Sequence, residues 1–165
     1  MDKLVVHGNQ LVFHGKTYRC VIGRTGIALK EKEGDGITPI GIFPLRECWY
    51  RADLMAAPKT SLPLKIIRQD DGWCDAPNHP DYNCHVKLPF AASHEKLWRD
   101  DGAYDLIVPI GYNDAPVIAS KGSAIFLHLA KPEGNPTEGC VALAKADLLE
   151  ILPHLDTTSI IEIRA

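Results

Sequence analysis

Ser123-Ala124-Ile125-Phe126-Leu127-His128-Leu129, then a short connection, then Thr137-Glu138-Gly139-Cys140-Val141, is the stretch on which the reading turns. The first seven residues are apolar enough for a buried strand, and the run delivers a histidine near its end. Pro132, Gly134 and Pro136 make the connection a loop. A thiol needs a nearby base to ionise at neutral pH, and histidine is the usual one. A strand end and a tight return can hold His128 and Cys140 within hydrogen-bond reach. Gly139 removes bulk beside the sulfur, and the N–H groups of Gly139 and Cys140 are placed to face a developing oxyanion. Taken alone, one Cys and one His are a weak signal, because a lone cysteine is usually a small buried hydrophobe.

Working outward, the chain reads as mostly β with one or two short helices. Leu4-Val5-Val6, Leu11-Val12-Phe13 and Tyr18-Arg19-Cys20-Val21-Ile22 predict a three-strand meander. Glycine and charge make residues 23–43 a loop, with a strand emerging near Ile40-Phe43. Leu64-Lys65-Ile66-Ile67 predicts a short strand. Residues 70–90, with Pro77, Pro80 and Pro89, read as a long irregular loop of the kind that tends to be functional. Ser93 to Trp98 reads as one or two helical turns capped by Ser93. Strands are expected at 104–111 and 123–129. The clearest helix is Lys145 to Leu152, with Leu148, Leu149 and Leu152 on one face and Pro153 to stop it. Ser159 to Ile163 closes the chain as a strand. At 165 residues, with no repeat or linker, the expectation is a single domain over 1–165.

Composition bounds the function. The net charge is −3, with charges scattered, so a nucleic-acid partner is not expected. No apolar run approaches a membrane span, and no membrane partner is expected. Met1 to Gly8 has no basic stretch followed by a long apolar one, so a cytoplasmic location is expected; a chain trimmed of its leader would be periplasmic. Five cysteines are an odd number, which favours free thiols in a reducing compartment. Cys74, His79, Cys84, His85 and His94 lack metal-ligand spacing, and neither a metal nor another cofactor is expected.

The arrangement of His, loop and Thr-x-Gly-Cys resembles the signature of the L,D-transpeptidase (YkuD-like) catalytic domain. Thr38-Pro39-Ile40-Gly41-Ile42-Phe43 is similar to a second motif of that family, in the expected order. The resemblance spans roughly Gly23 to Leu152, extends to the family's small cytoplasmic L,D-carboxypeptidase-type members, and implies a β-sandwich. It implies that Cys140 attacks the carbonyl of the third, L-configured centre of a peptidoglycan stem tetrapeptide, at its bond to the terminal D-alanine. His128 would take the thiol proton, the Leu129 carbonyl would orient the imidazole, and Thr137 and Gly139 would shape the pocket. Water resolving the thioester gives carboxypeptidase action, and an amine gives a cross-link or an exchanged D-amino acid.

The chain departs from the family pattern at Glu138, where histidine is common, and at Ala142, where Arg or Asn is common. The connection from His128 to Cys140 is also shorter than usual. Arg24 is therefore the candidate partner for the substrate carboxylate. Tyr82 and Asn83 in the long loop, and Tyr112 near a strand end, are further candidates for lining a peptide site. With no wall polymer expected in the cytoplasm, hydrolysis of recycled stem peptides is the leading expectation. Transpeptidation is the enzymatic alternative, and a binding module without turnover the alternative of another class.

Overall fold

Alternation of apolar and polar residues builds the first three strands, and the meander read from sequence is present in the computed structural model, which describes residues 1–165. In β1 (Lys3–His7), β2 (Gln10–Phe13) and β3 (Lys16–Val21), Leu4, Val6, Leu11, Phe13, Tyr18 and Cys20 point inward. His14 (φ +49°) and Gly15 (φ +75°) join β2 to β3, both in the left-handed region that a two-residue hairpin turn requires.

The meander is part of a ten-stranded sheet. Its other members are β6 (Gly41–Pro44), β7 (Cys48–Tyr50), β8 (Leu64–Ile66), β12 (Leu106–Pro109), β13 (Phe126–Leu129), β14 (Val141–Leu143) and β15 (Ile160–Arg164). The spatial order is β6-β15-β1-β2-β3-β14-β13-β12-β7-β8. The sheet curls back on itself. Leu45 bridges Ile110, the Gly111 N–H donates to the Pro44 carbonyl at 2.8 Å, and the Arg46 N–H donates to that of Pro109 at 3.1 Å. The edge beyond β6 thus meets the end of β12, and the result is the expected mostly β sandwich. Its core holds Leu4, Leu11, Leu127, Leu143, Leu148 and Ile161, none of them reached by solvent.

The helix α1 (Lys145–Ile151) lies where expected. Leu148, Ile151 and Leu152 are buried, while Leu149 is only partly so. Pro153 ends α1 by turning the chain into a 3₁₀ turn, Leu152–His154, where its missing N–H costs nothing.

Three expectations are corrected. Residues 70–90 are not a featureless loop, because β9 (Asp71–Cys74) and β10 (His85–Lys87) pair there. Ser93 to Trp98 is not helical; His94–Lys96 is β11, antiparallel to β9. Ser93 caps nothing, and its hydroxyl donates to Asp75 at 2.6 Å. These strands are three or four residues long and interrupted by prolines, so only their non-local pairing reveals them. Residues 23–43 also hold more order than expected, with β4 (Gly26–Ala28) parallel to β5 (Ile37–Pro39). The strand β7 was not anticipated either.

The small sheet β10-β9-β11 adjoins a second apolar cluster, built on Trp49, Ile67, Leu97, Tyr104, Ile107 and Phe126. Cys140 belongs to this cluster and not to the main core.

Candidate active site

Ladder register explains why Cys140 and His128 share a face. β13 and β14 run parallel, with Leu127 opposite Val141 and His128 opposite Ala142. One step back, Cys140 lies beside Phe126, two residues from His128. Side chains alternate across a strand, so Phe126, His128 and Cys140 share one face while Leu127, Leu129, Val141 and Leu143 take the other. The second set packs in the main core. Of the first set, His128 and Cys140 line a cavity of about 430 Å³, while Phe126 packs in the second apolar cluster.

The pair is neutral at rest. Burial pushes the Cys140 thiol up to about 12, assisted by the negative charge of Glu95. Burial brings the His128 imidazole down to about 4. His128 Nδ1 lies 3.0 Å from the Leu129 carbonyl. A carbonyl can only accept, so Nδ1 carries the hydrogen and Nε2 keeps its lone pair as a base. The thiol donates to the Ala124 carbonyl at 3.2 Å, and the Phe126 N–H donates to the sulfur at 3.3 Å. The sulfur is therefore held between two backbone groups until its proton is taken.

Gly139 sits at φ +143°, and a Cβ there would lie 2.8 Å from the Ile37 carbonyl oxygen. Both conformation and space demand glycine. The Thr137 hydroxyl donates to the Cys140 carbonyl at 2.7 Å and accepts the Gly139 N–H at 3.1 Å. This corrects the two-donor expectation, since the Gly139 N–H is already spent. The Cys140 N–H has no partner within the chain and is free to meet an oxyanion. The Thr38 motif reaches the same place. Thr38 is fully buried and accepts the Gly23 N–H at 2.8 Å, and Gly23 bridges to Thr137.

Charge around the cavity is distributed unevenly. Lys30 is committed to Asp35 at 2.6 Å, and Arg99 and Lys131 both pair with Asp101. The wall carboxylates Glu33, Asp75 and Glu95 have only hydroxyl partners. Tyr82 and Ser123 donate to Glu33 at 2.7 and 2.6 Å, Ser93 donates to Asp75, and Tyr104 donates to Glu95 at 2.9 Å. The Tyr104 ring also meets His128 edge-on at 5.3 Å.

Of the residues singled out from sequence, Cys140, His128, Leu129, Gly139 and Thr137 converge on the cavity. Arg24, Tyr82, Asn83 and Tyr112 are not in its wall. Arg24 is half-exposed and tied to Glu138 at 2.9 Å and to the Gly34 carbonyl at 2.8 Å. Tyr82 is buried and accepts the Gly122 N–H besides donating to Glu33. Tyr112 donates to the Lys121 carbonyl at 2.6 Å. Asn83 is buried behind the site. Its side-chain oxygen accepts from Trp73 Nε1 and the Ala124 N–H, and its amide donates to the carbonyls of Tyr112 and Asn113. Asn83 thus fixes Ala124, whose carbonyl holds the thiol. The sequence reading missed Glu33, Glu95, Arg99 and Tyr104 in the cavity wall; for Glu95 the alternation His94-Glu95-Lys96 was the available signal.

The fold, the motif geometry and a thiol and an imidazole in one cavity wall define a class, and comparison with known families agrees. The model of the L,D-transpeptidase catalytic domain (YkuD) matches residues 2–163, and the chain belongs to that family. Among solved structures, the crystal structure of Mycobacterium tuberculosis L,D-transpeptidase 1 is similar at 13% identity and a TM-score of 0.40. That match covers 99% of this chain and 60% of the other, so the chain spans about 60% of that protein's length. No curated protein matches.

Proposed function

We propose that this chain is an L,D-carboxypeptidase that removes the terminal D-alanine from peptidoglycan stem tetrapeptides through a Cys140 thioester. The observation that carries the reading is that Cys140 and His128 share one strand-pair face at the wall of a single cavity of about 430 Å³. The Cys140 sulfur attacks the carbonyl of the third residue as its proton passes to His128 Nε2. The C–N bond breaks, and D-alanine leaves with that proton on its amine. The Cys140 N–H is the available donor to the oxyanion. Water then opens the thioester.

Volume favours water over a second peptide as acceptor. The cavity lies in the lower part of the roughly 300–1,000 Å³ that single ligands fill. One short peptide uses that space, whereas cross-linking needs two. All five cysteines are free, and free thiols suit the reducing cytoplasm, where recycled stem peptides would be the substrate.

Transpeptidation is the second reading, favoured by the family to which the chain belongs. Mass spectrometry of tetrapeptide incubated with the protein separates the two. Loss of one alanine residue, abolished by Cys140→Ala, is the expected result. Dimer formation, or exchange into added D-methionine in place of hydrolysis, makes it a transpeptidase. Tetrapeptide that binds and stays intact overturns both.

A further inference from the structure

Glu95 occupies an unusual position for a residue in the middle of a short strand. It lies in β11, opposite Trp73 of β9, and its side chain lines the same cavity as Cys140 and His128. One carboxylate oxygen accepts the Tyr104 hydroxyl at 2.9 Å. The other has no hydrogen-bond partner in the protein, yet no fully sealed side-chain polar atom in the molecule lacks one. That second oxygen therefore opens on the cavity, and only a ligand or water can satisfy it. Its charge is felt directly by the Cys140 sulfur. Tyr104 locks the carboxyl in place while its ring packs against His128, so the three side chains form one assembly.

We infer that Glu95 is the base that admits water to the acyl-enzyme, the residue that makes the outcome at Cys140 hydrolysis. The inference rests on the hydrolytic reading above. Water bonds through its oxygen to the thioester carbonyl carbon as one of its protons passes to the free oxygen of Glu95. The C–S bond then breaks, the proton held by Glu95 returns to the sulfur, and tripeptide acid leaves a free thiol. His128 carries the thiol proton to the leaving amine in the first half-reaction and returns to its neutral form, and Glu95 takes the water proton in the second. Burial suits the two residues to these different tasks. It makes the imidazole release its proton readily, and it raises the carboxyl above the ordinary glutamate range, where a carboxylate is a better base. The groups facing Glu95 are Tyr104 and Arg99, which favour its ionised form, and Asp75, Glu33 and the Cys140 thiol, which do not.

The test follows D-alanine release, tripeptide release and intact protein mass through the first turnovers. Glu95→Gln should release one D-alanine per protein no more slowly than wild type, since the charge that opposes thiol ionisation is removed. Tripeptide release should then slow by about a hundredfold, within the range expected for removal of a general base, and the acyl-enzyme mass should accumulate. Hydroxylamine, a nucleophile that needs no base, should discharge the stalled acyl-enzyme of Glu95→Gln as fast as that of wild type. Unchanged tripeptide release, or equal loss of both products with no acyl-enzyme, overturns the assignment. If wild type itself releases no D-alanine, the carboxypeptidase reading fails instead. Tyr104→Phe is the independent variant should Glu95→Gln not fold. Loss of the hydroxyl donor should move the acid limb of wild-type deacylation to higher pH, and an unmoved limb again removes Glu95 from the step.

Discussion

The two faces of β13 and β14 are one sequence read in two registers. Leu127, Leu129, Val141 and Leu143 close the main core, while His128 and Cys140, displaced by one residue, reach the cavity wall beside Phe126 of the second cluster. Burial is nearly equal on the two sides, with Cys140 only 7% and His128 only 8% exposed. The difference lies in what desolvation acts on. On one face it removes apolar surface from water and stabilises the chain. On the other it holds a thiol and an imidazole neutral beside a space that admits a ligand. Cys20 and Cys48 make the same point, since burial also raises their thiols to about 12, yet neither lies in the wall that Cys140 shares with His128. Depth alone does not make a nucleophile.

Four measurements would break or sharpen this contrast. Leu127→Ala on the closed face should cost about 2–5 kcal/mol in urea unfolding, with turnover per folded molecule unchanged. A large fall in turnover at full folding would mean that the two faces are not separable. On the cavity side, His128 contributes a pH-dependent term. Its folded value lies near 4 against an ordinary 6.5, so the unfolded chain binds more protons between these values. Stability from this group is complete above pH 6.5 and is lost as pH falls toward 4, by about 3 kcal/mol at 1.36 kcal/mol per pH unit. Unfolding of wild type and His128→Gln across that window should show the difference, and parallel curves would place the ring in solvent.

Asn83→Ala should strand the Ala124 N–H and the Trp73 indole N–H. The expected cost is about 1–3 kcal/mol, with a fall in kcat larger than any change in KM because the Ala124 carbonyl no longer holds the sulfur. A change in KM alone would make Asn83 a substrate contact after all. Arg24→Ala should do least. Its pair with Glu138 is solvent-exposed on both sides, and such pairs contribute between about 0 and 1 kcal/mol. A tenfold rise in KM in that variant would restore Arg24 as the carboxylate partner.

The strand pair that carries His128 and Cys140 was legible because its signals are local. An apolar run ending in His128, and a glycine before Cys140, are written in adjacent residues, and so are the meander and α1. The far wall of the cavity was not. Glu95 and Tyr104 are placed there by β11 pairing with β9 and β12 pairing with β7, contacts between short segments with no periodicity long enough to read. Proline in 70–90 pointed to irregularity, yet Trp73 and Val86 are held in strands by partners distant in sequence. Tyr82, Asn83 and Tyr112 show the complementary error. Polar and aromatic character suggested a lining, whereas their hydrogen-bonding groups are consumed supporting the loop that lies behind it.

Parallel neighbours cannot be joined by a hairpin, and in many folds a helix makes the return. Between β13 and β14 that return is the bare segment 130–140, and Lys131, Asn135, Pro136, Thr137 and Glu138 within it also form part of the cavity wall. Residues added to or taken from this one crossover would resize the entrance while the hydrogen-bonded ladder beneath kept its alignment. Selectivity in such a scaffold can drift through loop length alone, leaving Cys140 and His128 in place.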